Sequence, residues 1–286
     1  MSEATLLVIK LGGGAGIDIE ACCDDLAVLW KQGRRMIVVH GGADETSELG
    51  EKLGHPAQFV KHPNGMTSRY TDRETAEILA MACAGRRNVT MVEGLQRRGV
   101  QALGLAGVDG AVLRGPRKAS VTILQGEKRV ILRDNHTGTV TDVNTRLLHL
   151  LLDAGYLPVL CPPAISTDNE LMNIDGDRAA AAVGTAMHAA SLVILSDVPG
   201  LLRDVADPSS LVGEITEGTF EEAMSLAHGS MKKKLLGARE AAESGVDRVI
   251  LAQGRGSAPV QDALAGRGTV VRWAATTEPA LTIEST

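Results

Sequence analysis

The sequence predicts an α/β protein, a three-layer α/β/α sandwich with a mainly parallel central sheet, decorated by β-hairpins. Three observations carry this. Short aliphatic runs at 5–9, 36–39, 157–161, 192–195 and 249–252 are apolar at both parities, as strands covered on both faces are. Stretches with helical spacing separate several of these runs, which is the alternation of a parallel sheet with crossover helices. The runs end in glycines or in polar residues, and the carboxyl ends of strands line the ligand crevice of an open parallel sheet.

Composition narrows the function classes. With 44% hydrophobic and 22% charged residues among 286, the chain is globular and large enough for one continuous unit with two lobes. Aromatics make up only 2%, so aliphatic side chains fill the core and the stacking platforms of single-strand nucleic-acid binders are scarce. A net charge of -6 also argues against a general nucleic-acid surface. Cys22, Cys23, Cys83 and Cys161 have neither a C-x-x-C nor a zinc spacing and read as small buried hydrophobes in a reducing compartment. The opening Met1-Ser2-Glu3-Ala4 has no basic region, and no apolar run approaches the ~18 residues of a membrane span. A cytoplasmic protein without membrane contact is therefore expected. The histidines show no metal-ligand spacing, so no metal site is expected from the chain itself. No G-x-S-x-G nucleophile elbow is present either.

Residues 5–9 read as the first strand, ending in Lys10-Leu11-Gly12-Gly13-Gly14-Ala15-Gly16. Glycines there let backbone N–H groups turn inward as an anion nest, with Lys10 placed to meet phosphate oxygens. A flexible turn with a solvated lysine is the competing reading. The lysine precedes the glycines, unlike the G-x-x-x-x-G-K-S/T phosphate loop, and the glycine order is not that of a dinucleotide fingerprint. A helix over 19–32 stops before Gly33, and the strand at 36–39 closes in His40-Gly41-Gly42-Ala43-Asp44. Two glycine-ended strands around one helix bring both loops to the same sheet edge, where they can face one ligand.

A helix over 45–53 follows. The polar stretch 59–72 suits a hairpin or lid, and its Arg69 either grips a carboxylate with a bidentate fork or is an ordinary exposed arginine. Asp72 reads as the N-cap of a helix over 73–82. Residues 88–92 are strand-like, with helix from 93 to 98 until Gly99. Between 112 and 140, short strands at 120–124 and 129–132 flank the turn Gln125-Gly126-Glu127 and predict hairpins decorating the sheet. Arg114, Arg117, Lys118, Lys128, Arg129 and Arg133 crowd this stretch. They form either a face for a small acidic partner or charges that keep strand edges from pairing.

A helix over 144–154 and a strand over 157–161 lead to Pro162-Pro163, which enforces an extended exit. Asn173-Ile174-Asp175-Gly176-Asp177-Arg178 then gathers two carboxylates and an amide ahead of a helix over 178–190. The next strand ends in Ser196-Asp197. Both polar groups suit one site, although Asp177 equally favours the positive end of the helix and Asp197 the start of a turn. The run Met231-Lys232-Lys233-Lys234 begins another helix. Three lysines oppose its macrodipole, a cost that a phosphate bound at the N-terminus relieves. The last strands lie at 249–252, before Gln253-Gly254-Arg255-Gly256, and at 268–272. Glycine loops, separated lysines and strand-end carboxylates together suit phosphoryl transfer, which consists mostly of positioning and charge neutralisation.

Seven motifs, Lys10-Leu11-Gly12-Gly13, His40-Gly41-Gly42, Arg69-Tyr70-Thr71-Asp72, Gly104-Leu105-Ala106-Gly107-Val108-Asp109-Gly110, Asn173-Ile174-Asp175-Gly176-Asp177, Leu195-Ser196-Asp197-Val198-Pro199-Gly200 and Gly229-Ser230-Met231-Lys232-Lys233-Lys234, follow in this order along nearly the whole chain. Together they resemble the amino acid kinase family, in the branch that contains acetylglutamate kinase and the lysine-biosynthetic kinase acting on aminoadipate attached to a small carrier protein. The resemblance implies a carboxylate acceptor phosphorylated by ATP with Mg2+. It gives Lys10, Asp177 and Lys234 catalytic roles: Lys10 on the transferring phosphate, Lys234 on the leaving phosphate, Asp177 orienting both. Gly41, Gly42, Arg69 and Asn173 would hold the acceptor, and Gly12, Gly13, Ser196, Asp197, Leu202 and Met231 the nucleotide. It also implies an acceptor and dimerisation lobe at 1–172, a nucleotide lobe at 173–286, and a homodimer.

The sequence departs from acetylglutamate kinases where His40-Gly41-Gly42 continues as Ala43-Asp44 rather than Gly-Pro. Arg133-Asp134-Asn135-His136-Thr137-Gly138, with its basic neighbours, looks more like the carrier-protein-dependent branch. The favoured expectation is thus a kinase of carrier-linked 2-aminoadipate whose partner is a small acidic amino-group carrier protein. The alternative is acetylglutamate kinase, and carbamate kinase, an aspartate kinase catalytic domain and a non-catalytic sensor of the same fold come behind it. With the first strand at Thr5, the N-terminal arm of arginine-inhibited relatives is not expected.

Overall fold

The first aliphatic run forms β1 (Leu7–Leu11) at the middle of an eleven-stranded sheet. The computed structural model describes residues 5–14, 16–63 and 65–273. The readings that touch Met1 to Ala4, Ala15, Asn64 and residues 274–286 lie outside these. Along the chain follow α1 (Ile19–Lys31), β2 (Met36–His40), α2 (Ala43–Lys52), β3 (Phe59–Lys61), β4 (Thr67–Arg69), α3 (Arg73–Ala80), a π-helical stretch (Met81–Asn88) and α4 (Val89–Gln96). Then come β5 (Ala102–Gly107), β6 (Leu113–Gly115), β7 (Arg117–Lys118), β8 (Val121–Gln125), β9 (Lys128–Leu132), β10 (Thr137–Gly138), β11 (Asp142–Val143) and α5 (Thr145–Asp153). The chain continues through β12 (Leu157–Ser166), β13 (Leu171–Met172), α6 (Gly176–Ala186), β14 (Ser191–Ser196) and β15 (Glu214–Ile215). It closes with α7 (Phe220–Leu226), α8 (Ser230–Glu243), β16 (Val249–Gln253), α9 (Pro259–Leu264) and β17 (Thr269–Val271).

The main path of the sheet runs β11-β6-β12-β2-β1-β14-β16-β17-β15. Its central pairs, β12 with β2, β2 with β1, β1 with β14 and β14 with β16, are all parallel. Side chains alternate across it. Val8, Ile37, Val39, Leu192 and Ile194 enter one core with α5, α6, α7 and α8, while Leu7, Ile9, Val38, Val193 and Leu195 enter another with α1, α4 and α9. The strands are apolar at both parities because both faces are covered. Each fully buried leucine contributes about 1.5–3 kcal/mol relative to exposure. The hairpin strands pair separately in the order β4-β3-β8-β9. All four cysteines are buried and free, and burial pushes the Cys83 thiol up to about 11. Among the described residues no helix is long and apolar enough to cross a membrane.

Three expectations change. Residues 88–92 are helical: α3, the π-helical stretch and α4 form one rod, and Asn88, Met91 and Leu95 fall on its buried side. The β-branched Val89 and Thr90 that suggest a strand stand on its outer side, so burial periodicity overrides local preference. The strand expected at 157–161 runs on to Ser166, because at Pro162 and Pro163 it changes partner from β5 to β6. A missing N–H costs least where no ladder bond is being made. The helix expected over 178–190 spans Gly176–Ala186, with Asp175 as its N-cap.

Asp25 shows how a buried carboxylate substitutes for a missing cap. Helix α9 has no side-chain cap of its own. Asp25 of α1, 2% exposed, accepts from Val260 N at 2.6 Å, from Gln261 N at 3.0 Å and from Gln261 Nε2 at 2.6 Å. In D25A those donors lose their partner inside the protein, which costs about 2 kcal/mol. Urea unfolding is expected to show that loss, with D25N closer to the parent because its amide oxygen still accepts.

Candidate active site

Parallel pairing of β1 with β14 brings the end of the first strand beside α6. Lys10, the fourth residue of β1, points into the core side where Asp177 waits in the first turn of α6. Its Nζ lies 2.6 Å from Asp177 Oδ1, and Lys234 Nζ from α8 lies 3.0 Å from Oδ2. All three side chains are at least nine-tenths buried. Asp175 caps α6 by accepting from Asp177 N and Arg178 N, which leaves the Asp177 carboxylate to the lysines. Burial pushes that carboxyl upward, but the two ammonium groups outweigh it and hold the acid well below its ordinary range. Two cations and one anion leave a net positive charge, and Lys10 lines a cavity, which suits an incoming anion.

The two glycine loops are laced together above this centre. Gly41 N donates to Leu11 O at 3.2 Å and Asp44 N to Gly13 O at 3.3 Å. A Cβ built on Gly13 would sit 2.7 Å from Gly42 N, so glycine is required there by proximity. Close-packed glycine backbone of this kind is where an anion nest can form. His40 anchors it from below. Asn88 donates through Nδ2 to Val159 O and to His40 Nε2, so the imidazole carries its proton on Nδ1 and donates it to Gly41 O at 2.9 Å. Burial lowers the His40 pKa to about 4, and the ring stays neutral.

On the other side of the first loop, a Cβ on Gly16 would come within 2.3 Å of the Asp197 Cβ, and Gly12 N donates to Leu195 O at 3.1 Å. Ser196 and Asp197 therefore stand beside the glycine loop, as their place at a strand end suggests. Leu202 instead forms a short bridge with Leu211, and Met231 packs against the core of α6 and α8. Neither lines the cavity.

That cavity measures about 730 Å³ and is lined by Lys10, Gly13, Gly41, Gly42, Arg69 and Asn173, among others. Arg69 leaves β4, stacks over the Phe59 ring at 5.0 Å and donates to Ala43 O and Ser47 Oγ. The 133–138 segment ties it to Asn173. Tyr70 OH donates to Arg133 O, His136 N to Thr71 O, and Asn173 N to His136 O. The basic cluster is smaller than the sequence suggests. Arg114 donates to Thr167 O and Asn169 Oδ1, and Arg117 pairs with Glu170 at 2.7 Å. Lys118 lines the cavity, while Lys128, Arg129 and Arg133 remain exposed.

The sequence assigns no role to Asn88, which opens a presumed strand, to Glu45, which reads as the start of a helix, or to Arg87. Two polar residues, Arg87 and Asn88, ahead of Met91 and Leu95 at helical spacing were the available signal. The sequence model of the amino acid kinase family matches residues 5–253. A protein of Deinococcus radiodurans named as a LysW-aminoadipate kinase is 51% identical, over 93% of this chain and 91% of its own. One of the same name from Thermus thermophilus is 49% identical, over 93% of this chain and 100% of its own. Carbamate kinase of Giardia shares the fold, with a TM-score of 0.68 at 16% identity, over 96% of this chain and 100% of its own.

The electrostatics of Asp177 set a pH dependence. Its pKa is depressed, so the stability it adds is fully present above an unfolded value near ~3.9 and is lost as pH falls toward about 2. D177N leaves two buried ammonium groups facing a neutral amide, which costs about 3–5 kcal/mol at neutral pH. Urea unfolding of both proteins is expected to show a constant gap down to about pH 5 and a narrowing one below about pH 4. Activity of D177N is expected to fall at least about 100-fold.

Proposed function

We propose, for a chain that belongs to the amino acid kinase family, phosphorylation by ATP of the side-chain carboxylate of 2-aminoadipate carried on a small acidic protein, giving an acyl phosphate in lysine biosynthesis. The observation that supports it best is one cavity lined by Arg69, Asn173 and Lys10, with Lys10 ion-paired to Asp177 and Asp177 to Lys234. The names of the two relatives point to the same acceptor.

A carboxylate acceptor has a reference pKa near ~4, so it is ionised at neutral pH and needs no general base. The difficulty is repulsion between it and the triphosphate. Arg69 would fix the acceptor by its guanidinium and Asn173 by its amide. Gly42 would offer its N–H near the reacting oxygen, while Gly41, whose N–H is given to Leu11 O, would let the backbone come close. Lys10 would accompany the transferring group, and Lys234 would neutralise charge on the leaving phosphate, each held in place by Asp177. Mg2+ would arrive with the nucleotide. We assign the nucleotide to the 173–286 lobe, with Gly12, Gly13, Ser196 and Asp197 nearest the phosphates and Leu202 and Met231 farther out. The acceptor belongs to 1–172.

The hairpin sheet supports a carrier protein as partner. By register, Phe59, Lys61, Leu124, Arg129 and Ile131 share the face of Arg69, and Phe59 and Ile131 are more than 60% exposed. Apolar groups among basic ones beside the acceptor arginine fit an acidic protein surface. A homodimer in the cytoplasm is the assembly and place we expect.

Turnover compared between free N-acetylglutamate and carrier-linked aminoadipate, at low and moderate salt, tests the proposal. Strong turnover of the carrier-linked acceptor alone, weakened by salt, is the expected outcome. Efficient use of N-acetylglutamate would assign the enzyme to arginine synthesis instead. In R129E the KM for the carrier-linked acceptor is expected to rise about fivefold, with kcat within about twofold.

A further inference from the structure

Arg87 touches neither expected reactant, yet it joins both glycine loops from behind. It lies near the end of the π-helical stretch, and its side chain is 10% exposed. One end of the guanidinium, Nη1, pairs with Glu45 in the first turn of α2, directly after Gly41 and Gly42. The other, Nη2, donates to Gly12 O at 2.9 Å. We propose that Arg87 is a positioning residue for phosphoryl transfer: it fixes the Gly12–Gly13 peptide so that the Gly13 N–H faces the cavity. The nature of the anion met there rests on the kinase reading above.

The orientation follows from peptide geometry. In a planar trans peptide the carbonyl and the following N–H point in opposite directions. A guanidinium holding Gly12 O therefore turns the Gly13 N–H away from itself, and Gly13 lines the cavity. The preceding peptide is fixed separately, by Gly12 N on Leu195 O. Between two glycines a peptide can otherwise rotate at little steric cost, so this clamp selects one orientation of the donor. Preorganised donors of this kind act on charge that develops in the transition state.

Direction, rather than charge, is what Arg87 supplies, because Glu45 neutralises it. Only a planar fork reaches Glu45 and Gly12 O together; a lysine offers one ammonium centre. The wider π-helical turn re-aims successive side chains. Arg86 pairs with Glu48 at the surface, with 60% of its side chain exposed, while Arg87 and Asn88 point inward to the two loops.

The test compares the parent protein with R87A, R87K and the surface control R86A. In R87A kcat is expected to fall about 30-fold, while KM for ATP and calorimetric affinity for a non-hydrolysable ATP analogue stay within about threefold. Added guanidinium is expected to restore part of that loss, R87K to remain impaired despite its charge, and R86A to match the parent. In 15N-labelled protein the Gly13 amide resonance should shift on adding the analogue to the parent and not to R87A. An unchanged kcat in R87A, a joint loss of kcat and affinity without guanidinium rescue, or the same Gly13 shift in both proteins would overturn the proposal. If the parent phosphorylates no acceptor, the kinase reading fails, and the Gly13 comparison alone then decides the role of Arg87.

Discussion

One buried carboxylate between two buried ammonium groups is the constraint on which the rest depends. Near ~3 Å and at an effective dielectric of about 20, each Lys–Asp177 attraction is worth about 5 kcal/mol, offset in part by repulsion between the two lysines. The attractions win, but taking three charges out of water consumes several kcal/mol per ion. Such a centre adds little net stability over an apolar replacement. Its value is geometric: it holds a net positive charge at fixed coordinates before any anion arrives, so no reorganisation is needed at the moment of reaction.

The scarcity of large side chains nearby makes that geometry reachable. Lys234 sits in the second turn of α8, and α8 must approach α6 closely to bring it to Asp177. Ala179, Ala180 and Ala181 on one helix and Gly237, Ala238 and Ala241 on the other permit the approach. A Cβ on Gly237 would already touch the Asp177 Cβ, at 4.0 Å. The alanine run that looks featureless in the sequence is thus a distance requirement of the charged centre. The low aromatic content belongs to the same economy of volume.

Much of this was legible in the sequence, and the reasons it was legible explain where it failed. Buried strands announce themselves as aliphatic runs, and glycines at their ends mark backbone that must come close to something. Those signals and the family motifs single out Lys10, Gly13, Gly41, Gly42, Arg69, Asn173, Asp177 and Lys234; the fold places the first six on one cavity and joins the last two to Lys10 through the Asp177 carboxylate. Asn88 was misplaced because Val89 and Thr90 favour strands locally, while the evidence for a helix lay in Met91 and Leu95, whose burial depends on tertiary packing. The roles of Asp175 and Asp177 could not be divided either, since two carboxylates at one helix start are equivalent until the lysines arrive from distant parts of the chain.

The start of α8 links the charged centre to the hairpin. Lys233 and Lys234 are adjacent, so their side chains leave the helix about 100° apart. Lys234 turns inward to Asp177, and Lys233 reaches across to donate to Thr67 O at 2.7 Å. Thr67 opens β4, whose last residue is Arg69. A displacement of α8 would therefore be felt at Lys234 and, through Thr67, at Arg69 together. Within the lysine run, Lys234 shares Asp177 with Lys10, Lys233 hydrogen-bonds to a carbonyl, and Lys232 is exposed. The arrangement makes the hairpin and the charged centre parts of one mechanical unit, so the position of Arg69 is tied to that of Lys234.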